Sequence, residues 1–341
     1  MIARAAIVIA AMAAALLPLP PQFIERWYSR AWYSRLQSLV TPITNLVPVS
    51  LLDVAVGMAL IAAAIYLRRR RPLRVLRLLG SLIVLAAAVY LLFLITWGFN
   101  YRRVRMEEKL AFDSSRISRD AAVRLANDAV ARLNAAYTAA HATQFDTQSL
   151  HVAFTAVQQA LDAPRLAPIG IAKRSVLGWY FRTAAIDGMT DPFFLEIIVN
   201  PDLLEIERPW VFAHEWAHLA GYAHESEANF VAWLTCLRGD ALAKYSGALA
   251  TYEHAVAAIP RDIRRTLQSL DAGPREDLRR ITQRYQRSSA AVRNAARDVY
   301  DSYLRANRVD EGIESYGAVL RLMLATELDS HGNPQRRPSS R

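Results

Sequence analysis

The feature that most constrains this chain is the apolar character of its first hundred residues. Three apolar segments lie there, at about 4–20, 49–67 and 78–98, and the last of them carries no charged residue. A helix needs roughly 20 apolar residues to cross a bilayer core about 30 Å thick, and the second and third segments reach that length. The first is shorter, but the Pro-Leu-Pro-Pro-Gln that follows it is a poor cleavage site for a signal peptide. The sequence therefore predicts three membrane spans, the first of them uncleaved.

The arginines between the second and third apolar segments predict the orientation of the spans. Short loops rich in Arg stay on the cytoplasmic side, and this loop carries Arg68–Arg71, Arg74 and Arg77. The predicted membrane region, 1–100, is then followed by an extracytoplasmic domain at 101–328. The same cluster supplies a large part of the net charge of +10, so we expect a lipid bilayer as a partner and no nucleic acid.

A near-repeat between the first two apolar segments predicts a helix at the membrane surface. Arg26-Trp27-Tyr28-Ser29-Arg30 is followed by Ala31-Trp32-Tyr33-Ser34-Arg35. Trp and Tyr side chains favour the boundary between lipid and water. We therefore expect an interfacial helix at about 22–40.

Beyond residue 100 the sequence is typical of a water-soluble, mainly helical domain. Apolar residues recur there at helical spacing, which predicts helices at about 118–140, 147–161, 209–219, 225–237, 240–257, 260–271, 275–306 and 314–328. The β-prone stretches 176–181 and 193–199, with the turn signal Asp187-Gly188 between them, predict a small antiparallel sheet. The fold class is therefore mainly α with a small β-sheet (α+β), and the polar tail 329–341 is predicted to be disordered.

One motif carries recognisable chemistry, His214-Glu215-Trp216-Ala217-His218. Residues four apart share a helix face, so His214 and His218 can bind one Zn²⁺. Glu215 is rotated from His214 by about 100° on a helix and can act as general base toward a metal-bound water. The competing interpretation is a pair of core histidines beside a surface glutamate. The motif predicts a hydrolase with one Zn²⁺ per chain.

Three residues compete to be the third protein ligand. His224 would complete a His-Glu-x-x-His-x-x-Gly-x-x-His pattern like that of metzincin proteases, with a turn at Gly221. Glu225 begins Glu-x-x-x-Asn, which looks like the Glu-x-x-x-Asp of gluzincin proteases, and Asn229 would then orient a ligand histidine through its amide oxygen. Glu227 is the third candidate. We favour Glu225, because it shares a helix face with Asn229.

The whole chain resembles a bacterial family of membrane-anchored, zinc-peptidase-like proteins filed as a domain of unknown function, the DUF3810 type. The pieces that carry the resemblance are Glu25–Arg30, Val47–Ser50, Trp97–Arg102, Lys173 with Ser175, Pro192-Phe193 with Glu196, the HEWAH motif with Gly221, Glu225–Phe230 and Gly312–Tyr316. The resemblance implies a gluzincin-like zinc metallopeptidase domain behind three N-terminal transmembrane helices, in a bacterial inner membrane. The family pattern keeps Glu-x-Glu-Ala-Asn without requiring a histidine at position 224, which favours Glu225 as the ligand.

Two further residues are candidates for contact with a substrate. Glu196 lies in a predicted strand before the HEWAH helix, where gluzincin-like folds pair a strand edge with the substrate backbone. A substrate-edge contact and a solvated edge charge are both open for it. Tyr316 could donate to the oxyanion of a tetrahedral intermediate, or pack at the start of a helix.

These features together predict a membrane-anchored, zinc-dependent metallopeptidase. It would hydrolyse peptide or protein substrates with metal-activated water at the outer face of the membrane. The alternative is a catalytically inactive pseudopeptidase that serves as an envelope scaffold or sensor. Retention of Glu215 argues against that alternative, since losing this residue would be the simplest way to abolish catalysis.

Overall fold

The N-terminal hundred residues form a series of helices. The computed structural model describes residues 2–69, 75–309 and 318–337 of the chain. Residues 70–74, which hold Arg70, Arg71 and Arg74 of the predicted cytoplasmic cluster, lie outside that range. The helices of this region are α1 (Ile2–Leu16), α2 (Pro21–Phe23), a wide π-helical stretch (Ile24–Tyr33), α3 (Ser34–Thr44), α4 (Leu51–Arg69) and α5 (Val75–Thr96).

The prediction of three complete membrane spans is wrong for the described residues. Leu78–Thr96, within α5, is the one described helix long and apolar enough to cross a bilayer, or one of two if the bent pair Ile2–Leu16 and Pro21–Thr44 is counted as a span. That pair bends by 113°, because the prolines of residues 18–21 cannot continue α1. The apolar part of α4, Leu51–Tyr66, is also shorter than a span.

The helix Pro21–Thr44 lies against the folded domain with one face and exposes aromatic and aliphatic side chains on the other. The exposed face carries Phe23, Trp27, Trp32, Leu39 and Ile43, each about half exposed or more. From the buried face, the Tyr33 hydroxyl donates to the Leu219 carbonyl (2.7 Å) and the Thr41 hydroxyl donates to the Leu195 carbonyl (2.9 Å). One hydrophobic cluster therefore contains residues from both sides of residue 100, among them Tyr33, Trp97 and Trp216.

Helices make up most of the remainder of the described chain. They are α6 (Met106–Lys109), α7 (Arg119–His141), α8 (Thr147–Ala160), α9 (Gly178–Ala184), α10 (Arg208–Leu219), α11 (Glu225–Arg238), α12 (Ala241–Ala258), α13 (Arg261–Arg264), α14 (Ala272–Gln286), α15 (Ala290–Ala306) and α16 (Val319–Ala325), with 3-10 turns at Gly98–Arg102 and Ser114–Arg116. The predicted mainly helical fold with a small sheet is confirmed. The bounds of α7, α8, α10, α11 and α12 agree with the predicted helices to within one residue at each end.

Two helical predictions and the prediction for the tail need correction. The helix predicted at 260–271 is the short α13 (Arg261–Arg264), and turns and irregular structure follow it. The single long helix predicted at 275–306 is two helices, because the Ser289 hydroxyl caps a new start and accepts from the Val292 amide. The tail does not have the expected disorder over 329–337, where Leu328 bridges to Pro334 and Arg336 bridges to Leu110. Residues 338–341 and the predicted start of the last helix at 314 lie outside the described residues.

The sheet differs from the small antiparallel sheet that the sequence predicts. Its described strands are β1 (Ala172–Lys173), β2 (Gly188–Asp191) and β3 (Glu196–Val199), in the order β1-β3-β2. β3 pairs in parallel with β1, in the register Ala172 to Ile197, and antiparallel with β2, in the register Met189 to Ile198. Residues 176–181, predicted as a strand, enter helix α9 instead. A short apolar run can become either element, and tertiary packing decides between them.

The sheet connects the N-terminal helices to the HEWAH helix. The Ser50 amide, just before α4, donates to the Arg174 carbonyl (2.9 Å) beside β1. Just after α5, the Trp97 indole donates to the His218 carbonyl (3.1 Å) on α10. Helix α10 in turn contacts β2 and β3 on one side and α11 and α12 on others. Both ends of the α4–α5 pair are thus attached to the elements that build the candidate site.

Candidate metal centre

Helix α10 carries the HEWAH residues, and most of its side chains are buried. Pro209 starts the helix at a position where its missing amide costs nothing. The Trp216 side chain is completely buried, and its indole donates to the Gly170 carbonyl (2.9 Å). The helix ends just before Gly221, whose φ of +89° favours glycine. A Cβ there would also lie 3.0 Å from the Tyr33 ring, so this turn is held tightly.

The short reversal at Gly221 brings the first residue of α11 to both histidines. The Nε2 atoms of His214 and His218 are 3.1 Å apart. Glu225 places Oε2 3.3 Å from His214 Nε2 and Oε1 3.5 Å from His218 Nε2. Tetrahedral Zn²⁺ with ligand bonds near 2.0–2.1 Å separates its ligand atoms by about 3.3 Å. The donor set and its spacing therefore fit one Zn²⁺.

Neighbouring groups orient these three side chains. His218 Nδ1 donates to the Tyr222 carbonyl (2.8 Å), which leaves Nε2 free to act as a ligand. The Tyr300 hydroxyl, on α15, donates to Glu225 Oε1. His214 Nδ1 is buried and has no hydrogen-bond partner among the described residues. Two of the three side chains are thus fixed by contacts typical of metal ligands.

The charges of the site reinforce one another. Burial alone would lower the pKa of His218, but the adjacent Glu225 carboxylate outweighs it and raises that pKa to about 9. Burial would raise the pKa of Glu225, yet His218 and His214 hold it well below its usual range. Glu225 is therefore ionised at neutral pH, and His218 holds a proton that a bound metal ion would displace.

Glu215 lies beside this cluster with a different environment. Its side chain is buried, and Oε2 accepts from the Thr190 hydroxyl on β2 (2.7 Å). Gly188, also on β2, makes room for the carboxylate, because a Cβ there would come within 2.6 Å of Glu215 Oε1. Burial raises the pKa of Glu215, while His214 and His218 oppose the shift. A raised pKa suits a carboxylate that takes up and returns a proton near neutral pH.

The two alternative ligands point elsewhere. His224 Nε2 donates to the Tyr101 carbonyl (3.1 Å), and its Nδ1 accepts from Arg105 (2.5 Å). Burial lowers the pKa of His224 to about 4, so this histidine is neutral. Glu227 Oε1 accepts from the Met106 amide (2.8 Å) and faces Arg105. Among the described residues, the cluster with metal-ligand spacing consists of His214, His218 and Glu225.

The predicted role of Glu196 at a strand edge is wrong. Its side chain is fully buried, and β3 is the central strand of the described sheet. Glu196 Oε1 accepts from the Ser50 hydroxyl (2.9 Å) and the Leu52 amide (3.2 Å), which caps the start of α4. Neither a substrate contact nor a solvated charge fits these contacts. The strand beside Glu215 is β2.

The remaining predicted residues have mixed outcomes. Asn229 lies on α11 one turn after Glu225, but no described hydrogen bond joins it to either histidine, and its amide nitrogen is buried without a partner. The Tyr222 carbonyl takes the predicted orienting role for His218. Tyr316 lies outside the described residues.

Sequence reasoning missed Thr190, Tyr222 and Tyr300. Thr190 follows the predicted turn at Asp187-Gly188, and Tyr222 acts through its backbone carbonyl, which no side-chain pattern reveals. Tyr300 approaches from 75 residues away. The sequence places Tyr300 on an amphipathic helix, but many residues of the domain share that property, so it does not single out Tyr300.

One comparison with known proteins gives a match. A family model described as a protein of unknown function, DUF3810, matches residues 28–324. No curated protein and no solved structure matches the chain.

Proposed function

The chain belongs to DUF3810, a family of proteins of unknown function, and we propose from its own site that it is a membrane-anchored zinc metallopeptidase. The observation that carries the proposal is the triangle of His214 Nε2, His218 Nε2 and the Glu225 carboxylate, with edges of 3.1 to 3.5 Å. This triangle has the donor types and spacing of a zinc site with an open fourth position. Glu215 adjoins it as a ready proton acceptor.

The proposed reaction is hydrolysis of a peptide bond. One Zn²⁺ held by His214, His218 and Glu225 would supply a Lewis acid that activates water and polarises the scissile carbonyl. Glu215 takes the proton of the attacking water and passes it to the leaving amine. The Thr190 hydroxyl donates to Glu215 Oε2 and so orients the carboxylate. Tyr300 positions Glu225.

Strand β2 is the proposed contact for the substrate backbone. It pairs with β3 on one side, and among the described strands none pairs with its other side. Its residues Gly188 and Thr190 contact Glu215. An extended peptide added to this edge would run past the proton acceptor and the metal ligands, as β-augmentation requires.

The α4–α5 pair is the proposed membrane anchor. Leu78–Thr96 is apolar and long enough to cross a bilayer. Helix α4 starts at the domain and α5 ends there. A crossing by α5 therefore requires that α4 cross the same layer in the opposite direction. The apolar part of α4, Leu51–Tyr66, extends about 24 Å, a few ångströms short of the bilayer core, and the long side chain of Arg68 that follows it would reach toward the interface. The arginines at the far end would then be cytoplasmic, and the metal centre would lie outside a bacterial inner membrane.

The test is zinc stoichiometry on the purified full chain in detergent. We expect one zinc per chain in the parent and its loss in His218→Ala and Glu225→Gln. His224→Gln is the matched control, because its side chain adjoins Glu225 in sequence but points to Tyr101 and Arg105. Loss of zinc in His224→Gln with retention in Glu225→Gln would contradict the assigned ligand set.

The same preparations test the hydrolysis step on a peptide library. We expect Glu215→Gln to keep its zinc and to lose about 100-fold or more in rate, as for removal of a general base. A folded parent that binds no zinc would refute the metal site. A zinc-loaded parent that cleaves no peptide would instead support the scaffold or sensor alternative.

A further inference from the structure

A second concave site lies at the C-terminal end of the HEWAH helix. It is a cavity of about 50 Å³ between the helix Pro21–Thr44, residues 158–167 and the end of α10. That volume accommodates an ion of a few atoms. The residues that line it include Ser29, Arg30, Gln37, Arg103, Lys109 and Arg336.

Basic side chains outnumber acidic ones around this cavity. Its lining contains Arg30, Arg103, Lys109, Arg165 and Arg336 against Asp162 alone. Glu25 lies behind them and pairs with Arg103 (2.9 Å) and Lys109 (3.3 Å). Asp162 is shared between Arg30 (3.3 Å) and Arg336 (2.7 Å). Glu227 is a third carboxylate near Arg103 and Lys109. Together, these three carboxylates still leave an excess of positive charge around the five basic side chains.

The pKa of Lys109 is consistent with that excess. Burial, together with the nearby Arg103 guanidinium, lowers it to about 8 despite the Glu25 carboxylate. An anion in the cavity would relieve this repulsion.

Two buried polar atoms of the lining have no partner among the described residues. One is the Ser29 hydroxyl, on a residue that is 6% exposed, and the other is Gln37 Oε1, on a residue that is 1% exposed. Buried polar groups normally have a hydrogen-bond partner. A hydroxyl can donate to an anion, and an amide oxygen can accept from a ligand that still carries a proton.

The carbonyl groups at the end of α10 do not oppose an anion. Donors from the protein already satisfy them: Trp97 donates to His218, Tyr33 to Leu219, and Arg103 to Gly221. The negative end of the helix dipole is therefore covered by donors.

We propose that this cavity binds a phosphate monoester group, with Arg30, Lys109 and Ser29 as donors and Gln37 as acceptor of the P–OH proton. Arg and Lys with a hydroxyl form a donor set typical of phosphate sites. The group could be free in solution or could belong to phosphatidic acid. The second source fits the exposed aromatic face of the same helix, which carries Trp27 and Trp32.

The experiment measures binding to the full chain in detergent, with inorganic phosphate in one arm and short-chain phosphatidic acid in the other. Short-chain phosphatidylcholine is the lipid control, since its phosphate is a diester. We expect saturable binding in at least one arm, with a dissociation constant about tenfold weaker in Arg30→Gln and in Ser29→Ala. The Ser29 variant removes only a hydroxyl, so it guards against misfolding.

Arg35→Gln is the matched control variant. Arg35 ends the second sequence repeat as Arg30 ends the first, but it is exposed and does not line the cavity. The Arg35→Gln variant should bind phosphate and short-chain phosphatidic acid with the affinity of the parent. Saturable binding of inorganic phosphate but not of phosphatidic acid identifies a soluble ligand. Saturable binding of phosphatidic acid but not of inorganic phosphate identifies the lipid. No saturable binding in either arm, or equal weakening by all three variants, would overturn the proposal.

Discussion

At the scale of the residue, the candidate site depends on positions where an added methyl group would clash with a functional side chain. Gly188 is the clearest case, because its missing Cβ is the space that the Glu215 carboxylate occupies. The Thr190 hydroxyl, two residues on, holds the same carboxylate. Strand β2 thus sets the position of the proposed general base, although the base itself lies on a helix.

Gly188→Ala should displace Glu215 and leave the metal ligands in place. A new Cβ would lie 2.6 Å from Glu215 Oε1 and 3.0 Å from its Cδ. Overpacking of this kind costs about 1–3 kcal/mol of unfolding free energy. We expect that loss, unchanged zinc content and a peptidase rate reduced at least about tenfold.

Gly178→Ala is the control for this prediction, since its Cβ would meet Pro201 at an ordinary 3.6 Å. Denaturant unfolding, zinc analysis and peptide hydrolysis measure the three quantities. Equal stability of Gly188→Ala and the parent would show that the close approach does not exist.

At the scale of the element, a buried carboxylate shapes the turn between β2 and β3. Asp191 is fully buried and accepts from the Phe193 and Phe194 amides, each at 3.0 Å. It also faces Glu196 across the β2–β3 pair. Burial raises the pKa of Asp191 to about 6, with the backbone donors opposing and Glu196 adding to the shift.

The raised pKa of Asp191 predicts a stability change with pH. Between about pH 4 and pH 6 the folded state keeps a proton that the unfolded state releases, so the free energy of unfolding falls as pH rises. The total change is up to about 3 kcal/mol. Asp191→Asn should remove this component. The amide oxygen can replace only one of the two carboxylate acceptors, so the variant should be less stable than the parent at pH 4, and the difference between the two proteins should shrink toward pH 7.

Denaturant unfolding of the full chain at pH 4, 5, 6 and 7 measures the effect. Asp128→Asn, at an exposed position of α7, is the control and should keep the pH profile of the parent. An unchanged profile in Asp191→Asn would show that this carboxyl ionises normally in the folded protein.

At the scale of the whole molecule, the apolar helices α4 and α5 and the domain are joined by direct hydrogen bonds. Glu196, in the middle of the sheet, caps α4 through Ser50 and Leu52. Trp97, at the end of α5, donates to the backbone of His218. A displacement of the proposed anchor would therefore reach the sheet and a proposed metal ligand through direct hydrogen bonds.

The proposed anchor predicts how charges on its exposed surface affect membrane association. Leu85 and Val89 of α5 are 60% and 45% exposed. Replacing both by Arg near the bilayer centre costs about 5–7 kcal/mol, so the fraction of protein retained in carbonate-washed membranes should fall several-fold.

Val176→Arg with Val299→Arg is the matched control, because both residues are exposed and apolar but lie in the domain. This pair should leave the membrane fraction unchanged. Equal retention of the α5 variant and the parent would refute α5 as the anchor.

The sequence alone predicted the helices and the residue spacings that depend on local geometry. Helical periodicity predicted α7, α8 and α10, and in the structure the side chains of Ser118 and Asp146 cap the first two of these helices. The spacing of His214 and His218 fixed their shared face, because four residues make about one turn. The favoured third residue, Glu225, lies with them because only a short turn separates the two helices.

Tertiary structure alone decided what depends on distant parts of the chain. The order β1-β3-β2 buries Glu196 in the central strand, and no local pattern encodes pairing order. Thr190 reaches Glu215 from another element, and Tyr300 reaches Glu225 from 75 residues away. The physical reason is that strand pairing and side-chain packing are set by the final arrangement of all elements, whereas a helix is set by neighbours within one turn.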